Sequence, residues 1–272
     1  MHAVALLATY NEERFIRASI EHLRGQGVGV YLIDNCSEDR TVEIAEEYVG
    51  RGVVGIETLP RDGEFSLRRQ LERKEQLALD FAADWLIHLD ADEMHLPAPG
   101  SGTLAQALAE VDRHGFNAVN FLELTFIPTR ESPDHDHPHF ERTLRTYYPF
   151  LPAFPHRLNA WKQTGVPVEL VSKGHRLRFE GLRMCPESFL MKHYLFLSVP
   201  HAVEKFVGRR YDPAELQAGW HGWRAELSEE DIVLPSASEL RVSRSDDDLD
   251  PSKPREEHHL AEVLARRAGA AS

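Results

Sequence analysis

The two carboxylates of Asp90-Ala91-Asp92 are the side chains of this sequence best suited to do chemistry. They directly follow Trp85–Leu89, an apolar run that predicts a central strand, where carboxylates are costly to bury. Two carboxylates at this spacing on a strand end can point to the same side and share a hard cation such as Mg²⁺ or Mn²⁺. Such a cation would bridge phosphate oxygens and neutralise the charge that develops on a leaving diphosphate. The sequence therefore predicts a divalent metal site at Asp90 and Asp92.

Two other polar segments directly follow predicted strands in the first half of the chain. Thr9–Glu12 follows the apolar run Ala3–Ala8, and Asp34–Asp39 follows Val28–Ile33. Strands that alternate with helices, as they do here, predict an α/β fold with a mostly parallel central sheet. Because ligands of such sheets collect at the carboxyl ends of the strands, we expect these segments and the two aspartates to meet at one edge. Taken alone, Thr9–Glu12 also fits an ordinary helix start.

The formal net charge of the 272-residue chain is −13. Such a surface repels nucleic acid, for which basic side chains supply most of the affinity. It also repels a diphosphate, so diphosphate binding would require a divalent cation together with a few local basic side chains. The candidates for those side chains are Arg68, Lys74, Lys205 and Arg209, each of which also fits a solvated surface charge.

The apolar runs and the cysteines of the sequence also predict the cellular location of the protein. No apolar run approaches the ~20 residues that span a bilayer, so no transmembrane segment is predicted. The segment Met1–Leu7 lacks the basic start of a signal peptide and predicts a buried first strand instead. Two cysteines, Cys36 and Cys185, give no disulfide framework, and a cytoplasmic protein is therefore expected.

Three segments of the first half resemble the family 2 glycosyltransferases. They are Ala8–Glu13, Ile33–Thr41 and Trp85–Glu93, and the resemblance extends over roughly residues 3–95. The resemblance implies a GT-A fold and a metal-dependent enzyme, using Mn²⁺ or Mg²⁺, that transfers a sugar from a nucleoside diphosphate sugar to a saccharide or small-molecule acceptor.

The same resemblance implies which residues surround the donor nucleotide: Thr9, Tyr10, Asn11, Glu12, Asp34 and Asn35. Asp34 would accept the N3 proton of uracil, which favours UDP as the carrier. Asn35 departs from the pattern, because the family often has a second Asp at this position. Within this scheme residues 1–242 form a single GT-A domain, with a nucleotide-sugar-binding half over 1–125 and an acceptor-side half over 126–242. Residues 243–272 are expected to form an acidic linker and a short C-terminal helix.

The second half offers candidates for a general base and for a third metal ligand. Gly165–Glu169 is similar to a G-x-V-H-E element of the family, with Val168 in place of the usual His, and it begins a predicted hairpin. In an inverting transfer a carboxylate removes the acceptor proton, and Glu169 is the first choice for this role and Glu187 the second. Glu169 fits an exposed strand residue equally well. His193, followed by Tyr194, resembles the third metal ligand but fits a buried core histidine equally well.

The sequence also bears on a histidine-rich loop and on three other classes of protein. The histidines of Asp134–His139 have a spacing that matches no closed zinc site, which favours a mobile loop on the acceptor side. A dinucleotide-dependent oxidoreductase would need G-x-G-x-x-G after the first strand, where this chain has Thr9–Glu12. A sugar nucleotidyltransferase would need a Gly-rich basic loop there. A non-catalytic protein that binds carbohydrate or nucleotide stays open, and it would not require a metal.

Overall fold

The computed structural model describes residues 1–61, 63–152, 157–171, 174 and 176–270. In chain order its strands are β1 (Ala3–Thr9), β2 (Val28–Asp34), β3 (Val53–Thr58), β4 (Trp85–Asp90), β5 (Glu93–Leu96), β6 (Ala118–Phe126), β7 (Thr146–Phe150), β8 (Leu158–Lys162), β9 (Glu169–Val171), β10 (Arg176–Arg178), β11 (Phe189–Tyr194) and β12 (Arg241–Val242). Its α-helices are α1 (Ile16–Gly25), α2 (Thr41–Glu46), α3 (Leu67–Asp80), α4 (Leu104–Arg113), α5 (Phe140–Thr143), α6 (Val199–Phe206), α7 (Pro213–Gln217) and α8 (His259–Ala270). No helix in these parts of the chain is long and apolar enough to cross a membrane.

The chain divides into two compact units. The first consists of Met1–Arg61, Leu67–Leu122 and Phe154–Lys192, and the second of Asp62–Ser66, Glu123–Ala153 and His193–Ser272. The assignment of residues 1–242 to a single domain stays a prediction.

The first unit contains the parallel sheet that the alternating pattern predicted. Strands β3, β2, β1 and β4 are parallel neighbours in that order, and β8 adds to β4 in the antiparallel direction. The first part of β6, Ala118–Asn120, pairs antiparallel with β8. Every residue of β1 is buried, as expected for a strand of a parallel sheet that is covered on both faces. The predicted α/β class with a mostly parallel central sheet is confirmed.

Helices of the first unit bury the apolar faces that their sequences predict. Ile16, Ile20 and Leu23 of α1 are buried, and Thr103 caps α4 through a reciprocal capping box with Gln106. Helix α2 ends at Glu46, and Val49, three residues further on, is 55% exposed. The reason is the turn into β3, in which Gly50 has a φ of 72° that ends helical geometry.

The predicted hairpin is present and packs on α3. Strands β9 and β10 are antiparallel, and Arg176 lies opposite Val171 in the register. Val168 and Leu170 join Leu71 of α3 in one buried cluster. Ser172 and Lys173, which are expected to join the two strands, and His175, expected to begin the second strand, lie outside the described residues.

The second unit has its own small sheet and core. Glu123–Phe126 of β6 pairs antiparallel with β7, and β12 pairs antiparallel with β7. Its core is aromatic and aliphatic, and among its buried members are Ile127, Tyr148, Phe196, Phe206, Leu227 and Leu260.

The segment expected to be a solvated acidic linker is instead fixed to this second unit. Its backbone donates from Ser243 to the carbonyl of Arg145 over 2.9 Å and from Arg255 to the carbonyl of Pro149 over 2.8 Å. The hydroxyl of Tyr147 accepts the amide of Asp250 over 2.9 Å. These bonds hold the acidic segment along β7 up to α8, the predicted C-terminal helix.

Candidate functional site

The carboxyl ends of three neighbouring strands bring the predicted polar segments together. In the register of β1 with β2, Thr9 lies opposite Asp34, and in the register of β1 with β4, Ala8 lies opposite Asp90. The expectation that Thr9–Glu12, the segment after β2 and the aspartate pair meet at one edge of the sheet is therefore confirmed. All of these residues belong to the first unit.

The loops after β1 and β2 are held to each other by hydrogen bonds. The amide of Asn11 donates to Ser37 Oγ over 3.0 Å, and the amide of Glu38 donates to Asn11 Oδ1 over 2.8 Å. The amide of Glu12 donates to Thr41 Oγ1 over 2.7 Å. Asn11 has a φ of 55°, a left-handed conformation that Asn tolerates better than most residues. Asn11 thus joins the two loops, and its predicted contact with the nucleoside stays a prediction, as does that of Glu12.

Asp34 and Asn35 are both buried at the end of β2. The Asp34 carboxylate accepts the amide of Ser37, over 3.1 Å to the nearer oxygen. Asn35 donates from its backbone to the carbonyl of Thr9 over 2.8 Å and from Nδ2 to the carbonyl of Leu59 over 2.9 Å. A carboxylate could not donate to that carbonyl, which gives a physical reason for Asn where the family often has a second Asp.

Tyr10 is covered by an arginine that the sequence analysis did not single out. The guanidinium carbon of Arg61 lies 3.3 Å from the centroid of the Tyr10 ring, a stacked cation–π arrangement. Thr9, the preceding residue, is 2% exposed, and its hydroxyl oxygen has no hydrogen-bond partner among the described residues.

The aspartate pair sits on a turn that is fixed from behind. The Asp90 side chain is 55% exposed, whereas Asp92 is 7% exposed. The amide of Asp90 donates to Glu93 Oε2 over 3.2 Å, and Glu93 Oε1 lies 3.7 Å from the guanidinium of Arg157. Glu93 and Arg157 are both buried, so this ion pair anchors the turn that carries the two aspartates. Arg157 was not identified from the sequence.

Lys74 is a buried cation beside this pair, not a solvated surface charge. Its ammonium donates to His88 Nδ1 over 2.8 Å and to the carbonyl of Leu89 over 3.1 Å, and it lies 4.0 Å from Asp90 Oδ1. Burial lowers the pKa of Lys74 to about 8, although the nearby carboxylates of Asp90 and Glu93 act in the opposite direction. Of the predicted cations, Lys74 therefore contacts the aspartate pair.

The other predicted cations have different surroundings. Arg68 is exposed on α3. In the second unit, Lys205 donates to the carbonyl of Leu195 over 3.1 Å. Arg209, also in the second unit, lies over the ring of Phe65 at 4.1 Å. Their predicted contact with a diphosphate stays a prediction.

The two aspartates fit a divalent cation that is shared with a ligand. The described residues contain no group of three or more His, Cys, Asp or Glu side chains that could hold a metal ion by themselves. Mg²⁺ and similar cations are commonly held by one or two carboxylates together with substrate phosphates, and not by an all-protein cage. Asp90 and Asp92 supply hard oxygen donors of the kind that such a site needs.

His193 is a buried histidine with a carboxylate partner in the second unit. Its Nδ1 lies 2.6 Å from Glu123 Oε1, which also accepts the hydroxyl of Thr125 over 3.0 Å. An imidazole that donates from Nδ1 to a carboxylate has its lone pair on Nε2, the arrangement usual for metal-binding histidines. The same contact also satisfies a histidine in a protein core. Its role as third metal ligand stays a prediction.

The two candidate bases lie in different surroundings. Glu169 is exposed on β9, opposite Arg178 in the register. Further along this hairpin, Gly174 approaches the ring of His88 so closely that an added Cβ would lie 2.8 Å from Nε2. Glu187 is exposed and lines a cavity of about 710 Å³ with residues of α4. The described lining of that cavity does not include either aspartate of the pair.

The histidine-rich loop, expected to be mobile, is held by side-chain hydrogen bonds. His135 Nδ1 and His137 Nε2 lie 3.0 Å and 2.9 Å from the hydroxyl of Thr143, and His135 Nε2 lies 3.1 Å from Ser132 Oγ. Burial lowers the pKa of His135. The ring nitrogens of His135 and His137 are thus used in anchoring the loop.

A parallel sheet with an acidic pair after one of its inner strands is the arrangement expected of a glycosyltransferase of the GT-A type. The model of glycosyl transferase family 2 matches residues 5–151, and the chain belongs to this family. None of the curated protein sequences matches the chain.

Solved structures give distant likenesses. TarS of S. aureus is 14% identical with a TM-score of 0.41, over 85% of this chain and 46% of that chain, so the present chain spans just under half of TarS. A structure of TarS 1–349 in complex with UDP-GlcNAc is 14% identical with a TM-score of 0.40, over 79% of this chain and 69% of that one. The mannosyltransferase PcManGT from Pyrobaculum calidifontis, in complex with GDP-Man and Mn²⁺, is 16% identical with a TM-score of 0.40, over 99% of this chain and 80% of that chain.

Proposed function

We propose that this glycosyltransferase uses a nucleoside diphosphate sugar, with UDP as the carrier, and transfers the sugar to an acceptor hydroxyl with inversion. The observation that supports this most directly is the register that brings the ends of β1, β2 and β4, with Thr9, Asp34 and Asp90, to one edge of the parallel sheet. Asp34 would accept the N3 proton of uracil at that edge, and Asp90 with Asp92 would hold the cation.

The bound cation would neutralise charge on the departing diphosphate. The chain's own residues orient the reactants around it. Lys74 lies where its ammonium adds positive charge to the acidic pair, and the contact between Glu93 and Arg157 keeps the turn of Asp90 and Asp92 in place. These local charges oppose the net charge of −13, which by itself repels a diphosphate.

Transfer with inversion is a single displacement. The acceptor oxygen forms a bond to the anomeric carbon while the bond to the diphosphate oxygen breaks, and that electron pair leaves with the UDP. The acceptor proton passes to a carboxylate, for which we propose Glu169, with Glu187 as the alternative. A cytoplasmic location is part of the proposal, because the free thiol of Cys36 is exposed and would stay reduced there.

Replacement of Asp92 tests the metal site. We expect Asp92→Asn to abolish Mn²⁺-dependent UDP binding and turnover, since an amide is a much weaker ligand for a hard cation. Calorimetry of UDP with and without Mn²⁺ measures the effect. Asp80→Asn, which changes an exposed carboxylate of α3 in the same way, is the matched control. Unchanged Mn²⁺ dependence in Asp92→Asn would refute the metal assignment.

A further inference from the structure

Arg61 and Tyr10 form a stacked pair at the edge of the sheet that the proposed function assigns to the nucleoside. The guanidinium carbon lies 3.3 Å from the ring centroid, and both residues are half-buried. The hydroxyl of Thr9, next to Tyr10, is buried without a hydrogen-bond partner among the described residues. Because buried polar groups ordinarily have a partner, this strand end is suited to a ligand with polar groups of its own.

The chain just before Arg61 is fixed to the end of β2. The amide of Leu59 donates to the carbonyl of Asp34 over 2.7 Å, and Asn35 Nδ2 donates to the carbonyl of Leu59 over 2.9 Å. These two bonds fix the chain just before Arg61 against the residues proposed to contact the base. Arg61 follows this fixed point by two residues and stacks on Tyr10, which itself follows Thr9, the residue opposite Asp34 in the register.

The two side chains have complementary hydrogen-bonding character. Stacking uses the face of the guanidinium, whereas its N–H groups point outward in the plane and can only donate. The carboxylate of Asp34 can only accept when ionised, and two oxygens have more lone pairs than the amide of Ser37 requires. A base edge that fits this pair has an N–H next to a keto oxygen. Uracil and guanine have such an edge, while cytosine and adenine have a bare ring nitrogen next to an amino group.

We propose that Arg61 recognises the nucleobase of the donor together with Asp34, and that the pair selects uracil or guanine over cytosine and adenine. This inference rests on the proposed function and extends it by naming a base-selecting residue. Arg61 donates to the keto oxygen, and Asp34 accepts the neighbouring N–H.

The test is calorimetric binding of UDP, GDP, CDP and ADP, each with Mn²⁺, to the wild type, Arg61→Met and Arg61→Lys. In the wild type we expect UDP or GDP to bind more tightly than CDP and ADP. Arg61→Met should lower the affinity for that preferred nucleotide by about 10-fold to 100-fold, the effect of losing one hydrogen bond from a charged donor. The affinities for CDP and ADP should stay nearly unchanged. Arg61→Lys keeps the charge but loses the planar fork, so it should lose much of the selectivity as well.

Arg51→Met is the control, because it removes an exposed arginine of the same unit. Thermal melting of each variant establishes that it is folded. An equal loss for all four nucleotides in Arg61→Met would overturn the inference, since it would assign Arg61 to the phosphates. Unchanged binding would overturn it too. If the wild type binds none of the four nucleotides, the proposed function itself fails. If the wild type binds them selectively and the Arg61 variants keep that selectivity, only the inference about Arg61 fails.

Discussion

At the scale of one residue, Lys74 shows how packing against a neighbouring strand can bury a charge that the sequence alone could place at the surface. In the sequence it is one of several basic side chains that also fit a solvated surface charge, but the structure buries it against His88 and beside Asp90. A signal for this was present in the sequence. Lys74 follows Leu71 by three residues and precedes Leu77 and Ala78 by three and four, so it belongs to the apolar face of α3.

The lowered pKa of Lys74 predicts a specific pH dependence of stability in metal-free protein. The pKa is about 8 in the folded state, against an ordinary value of 10.5. Between these values the unfolded chain binds more protons, so the free energy of unfolding should rise with pH from about 8 towards 10.5. The rise should be on the order of 3 kcal/mol at most, and Lys74→Met should lack it.

Urea denaturation at a series of pH values measures this difference between the wild type and the variant. Lys162→Met, which removes a half-exposed lysine of the same unit, is the control and should keep the wild-type slope. Parallel curves for the wild type and Lys74→Met between pH 8 and 10 would contradict the prediction.

Arg61 and Arg157 could not have been found from local sequence. Arg61 stacks on a ring 51 positions away, and Arg157 pairs with a carboxylate 64 positions away. Neither lies in a motif, and the short strands near them have no clear period. Contacts between distant residues depend on the fold, whereas the aspartate pair is recognisable because it directly follows an apolar strand.

At the scale of elements, apolar runs that alternate with helical segments predicted the parallel sheet and the strands β1, β2 and β4 that carry the site. Strands β5, β7 and β8 were missed because they have four or five residues each, too few for a recognisable period. The missed β8 matters for the site, because it pairs with β4 and leads from Arg157. The hairpin was predicted from its turn residues, and its distance from the aspartates was not predictable.

The proposed general base, Glu169, lies on this hairpin. We expect Glu169→Gln to lower kcat by ~10²–10⁴, because the amide cannot take the acceptor proton, and to leave UDP affinity nearly constant. Asp92→Asn should lower both kcat and UDP affinity. Donor hydrolysis by water can stand in for turnover until an acceptor is found, and UDP affinity is measured first.

Glu187→Gln is the comparison for this experiment, since Glu187 lines a cavity formed with α4. If Glu187→Gln loses turnover and Glu169→Gln keeps it, the role belongs to Glu187. If both variants keep wild-type turnover, a single carboxylate base is the wrong mechanism for this protein.

At the scale of the whole molecule, the acidic composition sets how ionic strength affects donor binding. The net charge of −13 repels an anionic nucleotide over long distances, whereas Lys74 and a cation at Asp90 and Asp92 would attract it at contact. Salt screens the distant charges first, because the Debye length is about 10 Å at 0.1 M and groups in contact are screened much less.

We therefore expect UDP binding with Mn²⁺ to stay constant or to strengthen up to a few-fold between low and physiological ionic strength. A protein that binds phosphate through an exposed basic surface behaves in the opposite way, because salt weakens each of its contacts. Calorimetry at fixed free Mn²⁺ and increasing NaCl measures the dependence. Arg51→Met should show the same dependence as the wild type, since it makes an already negative chain only slightly more so. A tenfold or larger loss of UDP affinity over that range would show that exposed basic side chains, such as Arg68, carry the binding. It would count against the buried lysine and the aspartate-bound cation as the source of affinity.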